Sequence, residues 1–322
     1  LIPHGIQHLV EIKLTFIQHL EMTTSKILAK YKNGNTKVII LEDGTKIRSY
    51  EGVPSPIFPE SIDCKLTNFC DLGCAFCHEN STTEGKHADL EKLIEILDPL
   101  PPGIELALGG GNSLDHPDLL DFLMLCKSKG YIANMTINQG HLEKFYWDIV
   151  HLITDDLIKG VGISITSKDY SYIEKLKKIT NNIVYHLILG IHKPTIFNEL
   201  EVFGDPKYLL LGYKTFGRGV KYFNPRVTKT LNYWNQEITN LLNENKGVIS
   251  FDNLAIEQLE LESKLDSETW NKFYMGDDFV FTMYIDAVNQ EYTPTSRSSY
   301  SERISFKDDT LFNYFVTNRI NG

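Results

Sequence analysis

Three of the five cysteines fall within eight positions, Cys70-Asp-Leu-Gly-Cys74-Ala-Phe-Cys77, a C-x3-C-x2-C spacing with Phe76 before the last. Thiolates are soft ligands that favour iron–sulfur clusters or zinc over hard cations. Three of them on one short loop can hold three irons of a cubane cluster and leave the fourth iron without a ligand from that loop. An iron so exposed is what a cluster needs if it is to bind and reduce a small molecule. The competing reading is a zinc ion held by Cys64, Cys70, Cys74 and Cys77. Against it, structural zinc usually draws its ligands from two separated knuckles. Cys64 also alternates with Ile62 and Leu66 on one strand face, as a small core residue would. Cys126 lies on a helical core stripe and reads as packing.

A chain of 322 residues accommodates one large domain, or one with an appendage. Its 42% apolar and 23% charged residues are those of an ordinary water-soluble protein, and no run approaches the ~18 apolar residues of a membrane span. A net charge of −10 argues against broad nucleic-acid binding, which needs a cationic surface. Crowded cysteines make a poor disulfide framework and suit a reducing cytoplasm. Residues 1–21 read as an upstream extension without function, since Met22-Thr-Thr-Ser has the look of a start.

Residues 22–60 read as a small β unit followed by a linker. Strands Lys26–Tyr31, Lys37–Leu41 and Thr45–Ser49 turn at Asn33-Gly34-Asn35 and Glu42-Asp43-Gly44, and Pro54, Pro56 and Pro59 exclude helix. From Ser61 strands and helices alternate. The strands are Ser61–Leu66, Ile104–Leu108, Ile132–Ile137, Val161–Ile165, Ile183–Leu189 and Lys207–Leu211. Between them, helices are expected near 90–97, from Pro117 to Gly130, and over His141–Ile153, Tyr170–Ile179 and Thr195–Val202. Six such alternations imply a parallel sheet with helices outside, either an open doubly wound layer or a partial barrel. Ligands of such folds bind at the carboxyl ends of the strands. The cysteine loop follows the first strand and Gly109-Gly110-Gly111 the second, so both open on one rim. The tail, 226–322, has an α+β texture: helices over Thr228–Asn243 and Leu254–Leu265, an apolar stretch Val248–Phe251, a hairpin of Phe279–Ile285 with the Tyr292 region, and a closing helix.

The C-x3-C-x-aromatic-C motif, with Thr67-Asn68 just ahead of it, resembles the radical S-adenosylmethionine (SAM) superfamily. The resemblance covers roughly residues 61–219 and implies a partial (β/α)6 TIM-like barrel over 61–225. It further implies a [4Fe–4S] cluster on Cys70, Cys74 and Cys77, SAM as second cofactor, and an external flavodoxin- or ferredoxin-like electron donor. The implied activity is reductive cleavage of SAM to a 5′-deoxyadenosyl radical that abstracts hydrogen from the substrate. The family's Gly-Gly-Glu-Pro after the second strand, whose backbone receives the SAM amino group, is matched at Gly109 and Gly110. Here Gly111 and Asn112 stand where glutamate and proline are commoner. The resemblance places Asn138, Ser164 and Thr166 near the ribose or carboxylate, with Ile191, Tyr213 and Phe76 against the adenine. His192, Lys214 and Arg218 are expected substrate contacts; the last two lie in the glycine-rich basic segment Gly212–Gly219, suited to a carboxylate or phosphate. Tyr213, Tyr284 and Tyr292 are conceivable hydrogen donors. The hairpin around Tyr284 and Tyr292 resembles the SPASM/twitch-type extension of peptide-modifying relatives without its cysteines, and is expected as a lid.

Three functions compete. The first is a radical SAM enzyme acting on a peptide or protein side chain, or a small metabolite. The second is one acting on a nucleoside, nucleotide or RNA. The third is a non-catalytic zinc- or cluster-binding interaction module.

Overall fold

A computed structural model describes residues 25–244 and 247–321, so the upstream extension read over 1–21 lies outside the described residues. The first unit is a three-stranded antiparallel sheet of β1 (Ile27–Asn33), β2 (Thr36–Leu41) and β3 (Lys46–Ser49). Its first turn needs Gly34, which sits at φ +58° with no room for a side chain, because Ser55 O lies 1.8 Å from where a Cβ would be. Asn33 fastens the proline-rich linker: its Oδ1 accepts from Ile57 N at 2.8 Å and its Nδ2 donates to Phe58 O at 2.8 Å.

The second sheet has ten strands in the order β10-β9-β8-β7-β6-β5-β4-β11-β12-β13. They are β4 (Ser61–Thr67), β5 (Glu105–Gly110), β6 (Ile132–Asn138), β7 (Gly160–Ser164), β8 (Ile183–Ile188), β9 (Lys207–Leu211), β10 (Val248–Phe251), β11 (Thr282–Asp286), β12 (Glu291–Thr293) and β13 (Ile304–Ser305). Strands β4 to β10 are parallel neighbours, and β11 joins parallel to β4. The six expected alternations are all present. Among the described residues β10 and β11 are not paired, so the barrel stays open on that side. The sheet nevertheless curls far enough for the charge of Asp252, just after β10, to act on Asp63 of β4.

Strand alternation divides the side chains between two environments. Ile62, Cys64, Leu66, Leu106, Leu108, Met135, Ile137, Ile163, Leu187 and Leu210 are at most 2% exposed and pack outward onto the helices. Those helices include Leu90–Leu97, Leu119–Ser128, Tyr146–Thr154, Ser171–Lys177 and Pro225–Asn243. The opposite face, with Asp63, Lys65, Asn138, Ser164 and His186, lines the lumen. The small antiparallel sheet packs where the barrel strands begin: Val38 and Ile40 contact Ile132, Arg48 Nε bonds Glu60 Oε2 at 2.6 Å, and Lys46 pairs with Glu105.

Some elements depart from expectation. The helix expected from Pro117 starts at Leu119 behind Asp118, and the one expected from His141 is preceded by a 3-10 turn, Gln139–His141. The apolar stretch Val248–Phe251 extends the parallel sheet, and a helix at Ser267–Phe273 carried no strong periodic signal. The expected hairpin exists, with Tyr284 opposite Thr293, but it is no lid. Its first strand bonds laterally to β4 as part of the sheet.

Candidate active site

The loop 68–88 leaves β4 at the carboxyl end and is tied back onto its own base. Cys70 N donates to Thr82 O at 2.9 Å and Asn68 N to Lys86 O at 2.8 Å. Cys70, Cys74 and Cys77 are free and half-buried, whereas Cys64 and Cys126 are buried in the helical layer. Burial first, and then the neighbouring thiols, push Cys70 and Cys74 above the ordinary thiol range. These sulfurs stand close enough to repel one another as anions, the arrangement a shared cationic cluster relieves. A tetrahedral zinc using Cys64 is excluded, because that side chain faces away, into the core, at 2% exposure. Beside Cys70, Asp71 and the buried His141 pair at 2.7 Å, and the ligand atoms of all three lie within 4.8 Å of one another.

Arg218 belongs to this loop more than to any substrate. Its Nε donates to Cys74 O at 2.8 Å, a terminal nitrogen donates to Ser81 O at 2.9 Å, and its backbone N–H donates to Cys77 O at 3.0 Å. The guanidinium, expected as a substrate contact, is engaged by carbonyls of the cysteine loop. It also sets a positive charge against Cys70 and Cys74. Gly217 permits this approach at φ +52°, since a Cβ there would meet His78 O at 2.5 Å. Replacing Arg218 with Gln should leave the fold intact and speed iron loss to a chelator by roughly 10–100-fold, the usual scale for a supporting contact behind a metal ligand.

At the end of β5 the three glycines play different parts. Gly109 is open on its lumen side, where the nearest atom to a built Cβ is the Thr136 Cβ at 4.0 Å. Gly110 takes φ +109°, with Thr67 O 2.4 Å from a Cβ, and Gly111 lies under Phe69 O at 2.1 Å from one. Two backbone bonds close the seam: Gly111 N to Thr67 O and Asn112 N to Phe69 O, both 2.7 Å. No glutamate fits at position 111, because the chain ahead of Cys70 occupies that space. Asn112 is buried and donates to Asp115 Oδ2 at 2.7 Å.

Across β6, β7 and β8 the residues Asn138, Ser164 and His186 stand in one register row. Asn138 Nδ2 lies 3.9 Å from Cys74 Sγ, and its Oδ1 accepts from Thr166 Oγ1 at 3.0 Å and Gly140 N at 2.9 Å. The sequence did not single out Gln139, whose Oε1 accepts from Thr166 N and Ser167 N at 2.9 Å each and so shapes the loop after β7. Its position beside Asn138 was the only available signal. Ser164 is half-buried and faces the lumen. The His186 ring lies over Gly162, where a Cβ would meet it at 2.3 Å, and burial lowers its pKa to about 4.

Ile191 is half-buried just beyond β8. His192, expected as a substrate contact, is bonded to backbone at both ring nitrogens. Its Nδ1 accepts from Ile188 N at 2.9 Å and its Nε2 donates to Ile165 O at 2.8 Å, so the ring is neutral and both nitrogens are engaged. Burial lowers its pKa in the same sense. The Tyr213 hydroxyl donates to Gly219 O at 2.8 Å, and its ring lines a small cavity of about 40 Å³ with Phe76, His78, Ile188, Leu211, Gly212 and Lys214. Lys214 Nζ donates to Ser296 Oγ at 2.8 Å and also lines a cleft of about 640 Å³.

Below the loop lies a charged network absent from the sequence reading. Lys65 Nζ reaches Glu79 at 2.8 Å and Asp286 at 3.2 Å, and Glu79 also pairs with His78 at 3.3 Å and accepts from Tyr284 OH at 3.1 Å. Burial would raise the Glu79 carboxyl, but His78 and Lys65 outweigh it and hold it well below the usual range. Tyr292, by contrast, is wholly buried with its hydroxyl unpartnered among the described residues, so packing is its role.

Comparison with known proteins follows the same ground. Residues 64–196 match the family model described as the Radical SAM superfamily. The Probable GTP 3',8-cyclase of Methanothermobacter thermautotrophicus is 27% identical over 129 residues, 36% of this chain and 41% of that protein. The chain thus spans less than half the length of that curated relative. Among solved structures, Streptococcus suis SuiB bound to S-adenosylmethionine superposes with a TM-score of 0.59 at 13% identity, over 81% of this chain and 66% of SuiB. SuiB bound to precursor peptide SuiA gives 0.59 at 13% over 97% and 78%, and native anSMEcpe with bound AdoMet gives 0.57 at 15% over 81% and 82%. At these identities the likeness is one of fold.

Proposed function

We propose that the chain, whose residues 64–196 match the Radical SAM superfamily model, is a SAM-cleaving enzyme acting on a peptide or protein side chain or a small metabolite. The observation that carries the reading is the placement of three free, half-buried thiols on one loop at the carboxyl rim of a parallel barrel, with the other two cysteines turned into the core. The donor set fits a [4Fe–4S] cluster held by Cys70, Cys74 and Cys77, and the open face of Gly109 with the polar row Asn138 and Ser164 fits SAM beside it. When bound, these groups supply a one-electron cleavage whose 5′-deoxyadenosyl radical removes hydrogen from a substrate carbon.

The protein's own part is positioning. Arg218 and the Thr82 backbone hold the cysteine loop in shape. Gln139 and His192 fix the loops after β7 and β8. The small antiparallel sheet covers the amino-terminal side of the lumen, which leaves the carboxyl rim for substrate and for an external flavodoxin- or ferredoxin-like donor. No described helix is long and apolar enough to cross a membrane, and a reducing cytoplasm suits the free thiols.

A nucleoside or nucleotide substrate is the second reading, supported by the match to the Probable GTP 3',8-cyclase. Protein reconstituted anaerobically should be brown, carry about four irons and release 5′-deoxyadenosine from SAM under a reductant. A colourless, zinc-loaded product without cleavage would sink the proposal. Tracing deuterium from candidate peptides and nucleotides into 5′-deoxyadenosine separates the two substrate classes.

A further inference from the structure

On the cluster strand β4 one polar side chain of the lumen face stands without a partner among the described residues. On β4, Lys65 is held by Glu79 and Asp286, and Thr67 Oγ1 by His87 Nδ1 at 2.9 Å. Asp63, two residues below Lys65, makes no hydrogen bond or ion pair among the described residues. It is reached by water, yet protein surrounds it on all sides, which is the signature of a group lining an internal space. Its register neighbours are Tyr284 of β11, whose hydroxyl is directed to Glu79, and Ala107 of β5, which is small. Gly109 likewise leaves its lumen position on β5 without bulk, with nothing nearer than 4.0 Å to a built Cβ.

Three charges bear on Asp63. Lys214 is positive and bonded to Ser296; Asp252 and Asp278 are negative. Asp252 caps the helix Asn253–Leu259, and Asp278 is paired with Arg297 at 2.7 Å. Two of the three therefore add to the negative potential, and none satisfies the carboxylate. The carboxylate is open to solvent within the lumen, so its charge is available to an arriving cation. Asp278 and Arg297 also line both the 640 Å³ cleft, with Lys214, and a second of about 710 Å³ that carries Glu257, Glu260, Glu262 and Asp277.

We propose that Asp63 anchors a basic nitrogen group of the substrate, an ammonium or guanidinium, within the lumen below the cysteine loop. The inference rests on the proposed function for the lumen's being the substrate chamber, and it deepens that reading by giving the substrate a positive charge. Two sources share this chemistry: a lysine or arginine side chain of a peptide, and a free amine.

The test is calorimetric titration of the reconstituted protein with SAM at pH 7.5. The probes are N-acetyl-lysine and N-acetyl-arginine methylamides, their neutral norleucine and citrulline counterparts, and putrescine and agmatine. We expect the cations to bind at least tenfold more tightly than their neutral counterparts, and Asp63→Asn to erase the preference. The tighter of the peptide mimics and the free amines identifies the source. Ala107→Leu, which fills the adjoining space and keeps the carboxylate, should weaken cation binding as well. Equal affinity for charged and neutral probes, or a preference that survives in D63N, overturns the proposal.

Stability separates an anchor from a structural group. Burial foremost, with Asp252 and Asp278 adding and Lys214 opposing, raises the Asp63 pKa from 3.8 to about 6. The folded state thus holds this proton more tightly than the unfolded one, and the stability it contributes is lost as pH rises through that interval. D63N should therefore melt no lower than the parent at pH 7.5, with an advantage that grows between pH 4 and 6 and is level above. A D63N protein that melts lower at pH 7.5 overturns the proposal. SAM cleavage without substrate should be unchanged in D63N, and its selective loss there would make Asp63 a cofactor residue and overturn the proposal. Absence of cleavage in the parent would instead strike at the proposed function, leaving probe binding as an independent reading.

Discussion

Cys74→Ala is expected to lose the cluster and SAM cleavage together, while Cys64→Ala keeps both. The two residues are chemically identical and lie ten positions apart, but the fold gives them opposite surroundings. Cys74 is half-buried on the loop, with the Asn138 amide beside its sulfur and Arg218 on its carbonyl. Cys64 is packed among the outward-facing strand residues, where burial and the charge of Asp63 push its thiol well above the normal range. Removing Cys64 should cost about 1–2 kcal/mol of packing and no iron. Iron and sulfide analysis with electron paramagnetic resonance of the reduced protein distinguishes the variants. Iron loss in C64A would mean that the buried thiol is a ligand and that the open-cluster reading is wrong.

The second large effect comes from adjacent glycines. Gly111→Ala, and still more Gly111→Glu, should destabilise the protein by about 3 kcal/mol or more, in the class of substitutions that force backbone apart. The cause is local: Phe69 O stands 2.1 Å from the position a Cβ would take. A melting temperature lower by roughly 5–10 °C is expected. Installing the glutamate commoner in related sequences would therefore damage this protein. Gly109→Ala makes the opposite pattern, because its Cβ enters open lumen with nothing nearer than 4.0 Å. It should melt normally and bind SAM poorly. If both glycines behaved alike in calorimetry and in SAM binding, the division between seam and pocket would fail.

Much of this was legible because it rests on local chemistry. The cysteine spacing, the strand alternation at Ile62, Cys64 and Leu66, and the proline-bounded helices are encoded within short windows. What escaped depends on residues far apart in sequence. Arg218 reads as a rim cation until the loop carbonyls of Cys74 and Ser81 are seen to surround it, 144 and 137 positions away. His192 reads as a loop imidazole until Ile165 O is placed at its second nitrogen. The network of Lys65, Glu79, Tyr284 and Asp286 has no sequence signature, since it joins the cluster strand to the tail. The hairpin was found by its turn and alternation, but nothing local could say that its first strand lies beside β4 and not over the rim.

That pairing has a consequence for how the protein is made. The strand feeding the cysteine loop has β5 on one side within some forty residues, but its other neighbour, β11, arrives only with the tail: Lys65 and Asp286 are 221 positions apart. Contacts of such separation form late, and a chain emerging from the ribosome has to leave that edge bare for most of its synthesis. Metal delivered to the three cysteines during translation would meet a loop whose supporting strand still lacks a side. Ribosome-stalled chains ending before β11 should accordingly take up iron and release it readily, and full-length chains should retain it.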